Sequence, residues 1–363
     1  MANQMRALHL FCWHLILFSC FSIQLAFLPC FGKESSNADD ETDDLRHKTS
    51  LGYVEHRIGR YTYVPLCTDK ELQWARAFEI KKDGRRVFSY FPEYPTVGSC
   101  WIEEAVSGKS KLALPEKFRQ RQIEDYVGRS DARLNLDKDI TGDGIPDLIV
   151  GSWTGGAHCC FDYRIFSLGP KFRLFGIING LDSHFSFKDL DGDGACEAIG
   201  YDCNFRYWHE CFAYSPAPLV ILSLKNGKIE LAKAMMKQNR LSEKDFESLA
   251  KPLELQMIVN PSKLAKVPPR SVFINSKLWS AMLNLIYVGN GAQAWQLFDK
   301  VWPATYQGYW GNSSAEDGGV SECIDLPSGI SNSRIDRAEF VRDFKKQLSA
   351  SQYYPGLKQL NGW

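Results

Sequence analysis

The sequence lacks an excess of charge of either sign. Its 43 lysine and arginine residues are matched by 43 aspartate and glutamate residues, so the formal net charge is zero. No cluster of basic side chains lies among aromatic residues, although this is the pattern by which proteins bind a phosphate backbone. We therefore expect no nucleic-acid partner.

The signatures of common enzyme classes are also missing. The chain contains no GxSxG, HExxH, Walker or dinucleotide-binding motif. Residues 98–101 (GSCW) resemble the nucleophile segment of papain-type proteases, but the match stops at four residues, no histidine follows His209, and the upstream glutamine and paired cysteine of that family are absent. A non-catalytic protein is the first hypothesis, and a secreted hydrolase is an alternative.

One long apolar run is present, and it lies near the N-terminus. Residues 8–31 follow Arg6 and precede an acidic segment. This order predicts a signal peptide or membrane anchor over residues 1–32, which could attach the protein to a membrane, and a disordered acidic linker over residues 33–50. We expect an extracytoplasmic location, either periplasmic or secreted.

Eight cysteines lie beyond this segment, and an even number in an exported chain favours disulfides. Two similar segments, HCCF at 158–161 and HECF at 209–212, contribute three of them. The candidate half-cystines in this region are Cys159, Cys160, Cys203 and Cys211. A bond such as Cys160 with Cys211 would join the two segments, whereas histidine beside cysteine also permits a thiol or transition-metal protein.

The chain divides into a strand-rich part and a helix-rich part. Short apolar runs between Gly, Asn and Asp turns predict antiparallel strands over residues 51–240, including a hairpin at Asp83-Gly84. Helical periodicity predicts a C-terminal domain over residues 241–363, with a capped helix ending at Pro252 and a helical hairpin over 275–302. The predicted fold class is α+β.

Acidic residues alternate with glycine at two places fifty residues apart. In residues 187–200 (FKDLDGDGACEAIG) the odd positions of a nine-residue frame carry oxygen ligands, namely Asp189, Asp191, Asp193, the Ala195 carbonyl and Glu197. Residues 139–147 (DITGDGIPD) repeat the frame with Asp139, Thr141, Asp143, the Ile145 carbonyl and Asp147. A hard cation such as Ca²⁺ prefers six to eight such oxygens.

Two simpler interpretations of these loops are less favourable. An EF-hand needs a glutamate at position 12, where this chain has Val150 and Gly200, and it needs flanking helices. Solvated Asp-Gly turns are common between strands, but carboxylates crowded without a cation repel one another. The repeated frame therefore predicts two calcium ions.

The motif D-x-[DT]-G-D-G-x-x-[DE] followed by an apolar strand, here most specific in DGIPDLIVG, resembles the FG-GAP/VCBS calcium repeats of integrin-α-type β-propellers. The segment is also similar to exported bacterial VCBS-repeat-containing proteins. The resemblance implies propeller-blade-like sheets and the two ligand sets above, with Thr141 in place of the usual Asp or Asn.

The resemblance also implies a non-catalytic role in binding or structural support at the cell envelope, with a protein or glycan ligand. The second loop offers four carboxylates and the first loop offers three. We therefore predict tighter calcium binding by the second loop, because charge count is one determinant of calcium affinity. The alternatives are a secreted hydrolase with structural calcium and a thiol or transition-metal protein.

Overall fold

The structure is a computed structural model that describes residues 54–66, 75–92, 99–103, 105–106, 138–156, 159–258, 270–310 and 334–363. The predicted signal or anchor, the acidic linker and His158 lie outside the described residues, and so does the side chain of Cys159. Within the described ranges, no helix combines the length and apolar character needed to cross a bilayer.

The first sheet is an antiparallel meander whose strands follow the chain order. Its strands are β1 (His56–Ile58), β2 (Tyr61–Leu66), β3 (Ala77–Lys82) and β4 (Arg85–Tyr90). Asp83 and Gly84 join β3 to β4 with φ angles of 49° and 78°. A two-residue turn with two positive φ angles matches the twist of antiparallel strands. The predicted hairpin is therefore confirmed.

The strands of the second sheet are β5 (Ser99–Glu103), β7 (Asp147–Gly156), β8 (Cys159–Leu168) and β9 (Phe172–Leu181). Their order in the sheet is β5-β7-β8-β9, and neighbouring strands are antiparallel.

The strands of the third sheet are β6 (Ala105–Val106), β10 (Ser186–Lys188), β11 (Glu197–Tyr201), β12 (Leu219–Ser223) and β13 (Glu230–Leu231). Their order in the sheet is β13-β12-β11-β10-β6, in which only the short edge strand β6 runs parallel to its neighbour.

Six α-helices occur in the described part of the chain after β13. They are α1 (Lys233–Met236), α2 (Glu243–Met257), α3 (Ser276–Tyr287), α4 (Gly291–Val301), α5 (Arg337–Ser349) and α6 (Tyr354–Asn361). The helical hairpin predicted over 275–302 is confirmed by α3 and α4. The mixed α+β class is confirmed as well.

Two details of the helical part differ from the expectation. Helix α2 begins with the predicted cap, in which Ser242 Oγ accepts a hydrogen bond from Asp245 N at 3.2 Å, but it continues through Pro252 to Met257. Pro252 is exposed, so the Ser248 carbonyl that loses its intrahelical partner can be solvated. The region also contains a fourth sheet of β14 (Ser271–Ile274), β15 (Gln307–Trp310) and β16 (Arg334–Ile335).

Strand β7 of the second sheet is buried on both faces. Leu148 and Val150 pack into a cluster with Phe78 of the first sheet, whereas Ile149 packs into a larger cluster with strands of the third sheet and with the helices. Successive side chains of a strand point to opposite faces, so the apolar residues of the run DLIV contribute to both clusters in alternation. Because strands and helices on both sides of residue 240 share one cluster, the predicted domain boundary there stays a prediction.

Candidate metal centre

The first acidic loop is folded around the carboxylate of Asp139. Its oxygens accept hydrogen bonds from the backbone N–H groups of Gly142, Asp143 and Gly144 at 2.7, 3.1 and 2.6 Å. Gly142 and Gly144 have φ angles of 74° and 79°, a region that favours glycine. The sequence spacing of Asp and Gly therefore encodes a specific backbone turn.

The second loop repeats this geometry. Asp189 accepts from the N–H groups of Gly192 and Gly194 at 2.7 and 3.0 Å, and the two glycines have φ angles of 78° and 97°. At position 5, Asp143 accepts from Ile145 N at 2.9 Å and Asp193 accepts from Ala195 N at 3.0 Å. The two loops are therefore alike in their hydrogen bonds as well as in sequence.

The last acidic residue of each loop begins the next strand and is buried. Asp147 at the start of β7 accepts from the N–H groups of Ile140 and Thr141 at 2.9 Å each through Oδ2. Glu197 at the start of β11 accepts from Leu190 N at 3.0 Å through Oε2. The other oxygens, Asp147 Oδ1 and Glu197 Oε1, are buried and have no hydrogen-bond partner within the described ranges.

This burial changes the acidity of both carboxyl groups. Desolvation raises the pKa of Asp147 to about 6 and that of Glu197 to about 7, although backbone N–H groups oppose the shift in each case. A buried oxygen without a hydrogen-bond donor is unfavourable, and a bound cation relieves this by pairing with the ionised form. Both carboxyl groups thus have the character of ligands for a hard cation.

The two loops lie against each other. Cys196 N donates to the Ile140 carbonyl at 2.7 Å, and a Cβ atom on Gly142 would lie 3.0 Å from the Ala195 Cβ. A cavity of about 360 Å³ is found at this junction. It is lined by Thr141, Gly142, Asp143, Phe175, Asp193, Ala195, Lys225, Asn226 and Gly227. The two candidate sites are therefore neighbours.

The loops differ in the basic groups that face them. Lys225 Nζ lies 3.4 Å from Asp191 Oδ2 and 3.8 Å from Glu197 Oε1, and it donates a hydrogen bond to Asp193. Burial acts to lower the pKa of Lys225, but the Asp193 hydrogen bond and the three negative charges raise it above its usual value. At the first loop, Arg173 Nη2 lies 3.6 Å from Asp143 Oδ2, and both side chains are substantially exposed.

The structure brings together several of the predicted ligands. Oxygens of Asp189, Asp191 and Glu197 lie within 4.8 Å of one another, which is close enough to share one ion. In the first loop Asp139 accepts a hydrogen bond from the backbone N–H of Asp143, and Asp147 accepts one from Thr141 N, but among the described residues no such group of three carboxylates is found in the first loop. The roles of these residues and of the Ile145 and Ala195 carbonyls as calcium ligands stay predictions.

Lys225 is a charged residue at the second loop that the nine-residue frame does not predict. It follows the run ILSL, which matches IFSL in the other repeat, so an alignment of the two repeats places it beside the second loop. The frame contains only the oxygen ligands, and Lys225 lies outside it. A long side chain from an adjacent turn can reach such a loop across the sheet.

The cysteines match the expectation in part. Cys160 and Cys211, two of the predicted half-cystines, are each disulfide-bonded. Cys203, predicted as a half-cystine, is a free buried thiol, as are Cys100 and Cys196. Burial raises the pKa of Cys203, and it raises the pKa values of Cys100 and Cys196 to about 12. These three thiols pack as small apolar side chains and lack the thiolate that a nucleophile or metal ligand needs.

Comparisons with known proteins give two short matches. A protein named "Probable thylakoid lumen protein" from Synechocystis sp. is 34% identical over 89 residues, which cover 23% of this chain and 26% of that protein. An uncharacterized protein of Sinorhizobium fredii is 31% identical over 85 residues, or 23% of this chain and 14% of that protein. The chain thus spans about a quarter or less of each of these relatives.

Two further comparisons gave no match. No protein-family model matches the chain. No solved structure matches it either.

Proposed function

We propose that this is an extracytoplasmic, calcium-binding protein in which two ions stabilise adjacent sheets, and that its role is binding or structural support and not catalysis. The observation that carries the proposal is the matched pair of loops. In each loop the first aspartate accepts hydrogen bonds from the glycines at positions 4 and 6, and each loop has a buried carboxylate oxygen without a hydrogen-bond partner in the described part of the chain. Calcium would supply that partner in both loops.

The position of the loops supports a structural role for the ions. The second loop joins β10 to its antiparallel neighbour β11, and the first loop leads into β7, the neighbour of β5. An ion bound by each loop would fix the position of the first residue of a buried strand, β7 for the first loop and β11 for the second. We propose that the second and third sheets correspond to blades of the FG-GAP/VCBS type, in which metal binding is coupled to folding.

Two observations support an extracytoplasmic location. One relative is named as a thylakoid lumen protein. Cys160 and Cys211 are disulfide-bonded, and disulfides persist mainly in oxidising compartments. Extracellular calcium sites work at about 10⁻⁴ to 10⁻³ M, so even weak sites would be filled in such a compartment. The proposed partner is a protein or glycan at the cell envelope.

The test is a thermal melt of the full-length protein in EDTA and in millimolar Ca²⁺. We expect calcium to raise Tm, because a ligand that binds only the folded state stabilises it. Asp143→Ala and Asp193→Ala should each reduce the rise, and Glu55→Ala, an exposed acidic residue beside β1, should leave it unchanged. Equal Tm values in EDTA and Ca²⁺ for the unmodified protein would refute the calcium function.

A further inference from the structure

The internal repeat permits a residue-by-residue comparison of the surroundings of the two loops. In the first repeat Asp147 pairs with Ser167 across the sheet, and in the second Glu197 pairs with Ser223. Two residues further along the chain are Gly169 and Lys225, respectively. Gly169 and Lys225 therefore occupy equivalent positions, and the second repeat has a lysine where the first has a glycine whose carbonyl accepts a hydrogen bond from Lys82 Nζ at 3.3 Å.

The space around these positions differs in a matching way. A Cβ atom on Gly169 would lie 3.1 Å from the Ile145 Cγ2, so the side chain of Ile145 fills this place in the first repeat. The equivalent of Ile145 in the second repeat is Ala195, whose side chain is a single methyl group. The first repeat thus has a large residue at 145 and a glycine at 169, whereas the second has a small residue at 195 and a lysine at 225. The small side chain of Ala195 leaves room for Lys225.

Lys225 contacts three of the four carboxylates of its loop. Its side chain is 28% exposed, whereas that of Glu197 is completely buried, so one end of this ion pair is shielded from water. The corresponding contact of Arg173 in the first loop involves only Asp143, and both side chains are more than a third exposed. Exposed ion pairs contribute little to stability, whereas charges that are shielded from water interact strongly.

We propose that Lys225 is an internal cation that takes the place of calcium in the second loop, so that this loop folds without the ion and binds it more weakly than the first. Calcium must displace the ammonium group before it can use Asp191, Asp193 and Glu197 together. The order of affinity is then the reverse of the order expected from the number of carboxylates. This inference rests on the proposed calcium function and specifies how the two sites differ.

The consequence is a division of roles between the two sites. The first loop requires the divalent ion for its buried Asp147, and it fills at low calcium. The second loop keeps its shape through Lys225 and fills only at higher calcium. The second site would therefore be the one that responds to a change in calcium concentration.

Calorimetric titration of the full-length protein with Ca²⁺ tests this order. We expect two binding steps, of which Asp143→Ala removes the tighter and Asp191→Ala the weaker. Lys225→Met should tighten the weaker step by about tenfold or more, since it removes a competing charge. Lys228→Met, on the exposed side of the same turn, is the matched control and should change neither step.

A reciprocal exchange gives an independent test. The double variant Ile145→Ala/Gly169→Lys places the small residue and the lysine in the first repeat, and it should weaken the tighter step. If Lys225→Met leaves both affinities unchanged, or if Asp191→Ala removes the tighter step, the inference is wrong although the calcium function stands.

A melt in EDTA separates the two proposals. Lys225→Met should lower Tm in EDTA, with recovery in Ca²⁺, whereas Lys225→Arg retains the charge and should melt close to the unmodified protein. If no heat of calcium binding is found but Lys225→Met still lowers Tm, the calcium function fails and the internal cation stands. An unchanged Tm for Lys225→Met in EDTA would overturn the internal cation.

Discussion

The two acidic loops have nearly the same backbone and different surroundings. Asp139 and Asp189 each accept hydrogen bonds from the glycines three and five residues later, and the glycines have similar φ angles. However, the first loop has isoleucine at position 7 and packs it against Gly169, whereas the second has alanine at position 7 and faces Lys225. The nine-residue frame thus determines the shape of each loop, and a residue outside the frame decides whether a cationic side chain compensates its carboxylates.

The comparison teaches that counting carboxylates is insufficient for ranking cation sites. A carboxylate contributes to ion binding only to the extent that its charge is not already compensated. In the second loop Lys225 compensates three carboxylates, including the buried Glu197. Four experiments, taken in order of expected effect, would sharpen or break this comparison.

Removal of the first carboxylate should have the largest effect. Asp139→Ala leaves three backbone N–H groups without their acceptor, so we expect a loss of about 3 kcal/mol in EDTA, and a larger loss in Ca²⁺ because an ion ligand is also removed. Urea unfolding in Ca²⁺ and in EDTA measures both losses. Asp189→Ala should cost about 2 kcal/mol in EDTA, because it removes an acceptor for two N–H groups. A larger loss for Asp189→Ala than for Asp139→Ala in EDTA would contradict this ranking.

The pH dependence of stability has the second-largest expected effect. The folded-state pKa values of Asp147 and Glu197, about 6 and about 7, lie above their usual values. Between about pH 4.5 and 7 the folded protein therefore binds more protons than the unfolded chain, and stability in EDTA falls as the pH rises. We expect a difference of about 2 kcal/mol between pH 6 and pH 8.

Calcium should reverse this dependence, because it binds the ionised carboxylates and its effect grows as they lose their protons. Denaturant unfolding at a series of pH values provides the measurement. Asp147→Asn and Glu197→Gln cannot titrate and should each flatten the curve recorded in EDTA. A curve that keeps its full slope in both variants would assign the pH dependence to other groups.

The sequence alone was sufficient for much of this fold and for the choice of the loops. Asp-Gly spacing located both turns, and apolar runs located β7, β8, β9 and β12, because turn chemistry and strand periodicity are local signals. It could not show that Pro252 lies inside a helix, since that depends on which side of α2 faces water. Lys225 was missed because its contact with Glu197 crosses the sheet, and Cys203 was misassigned because burial cannot be read from spacing.

Contact between the loops can be tested with a matched pair of glycines. Gly142→Ala introduces a methyl group at φ 74° and 3.0 Å from the Ala195 Cβ, whereas Gly192→Ala has φ 78° and nothing within 4 Å. Both substitutions carry a backbone strain of about 1 kcal/mol. We expect Gly142→Ala to cost about 1 kcal/mol more and to weaken calcium binding at both sites. Equal losses for the two variants would show that the loops are not coupled through this contact.

Removal of the arginine beside the first loop should have the smallest effect. Arg173 lies 3.6 Å from Asp143, and half of its side chain is exposed, so water and salt screen the pair. Arg173→Met should change the free energy of unfolding in EDTA by less than about 0.5 kcal/mol, and it should tighten calcium binding by the first loop less than twofold. Titrations of Arg173→Met and Lys225→Met under the same conditions compare one exposed cation with one shielded cation. If the two variants shift calcium affinity equally, the ion pair with the buried Glu197 does not make Lys225 a stronger competitor of calcium than Arg173. The difference between the loops then has to come from their backbones.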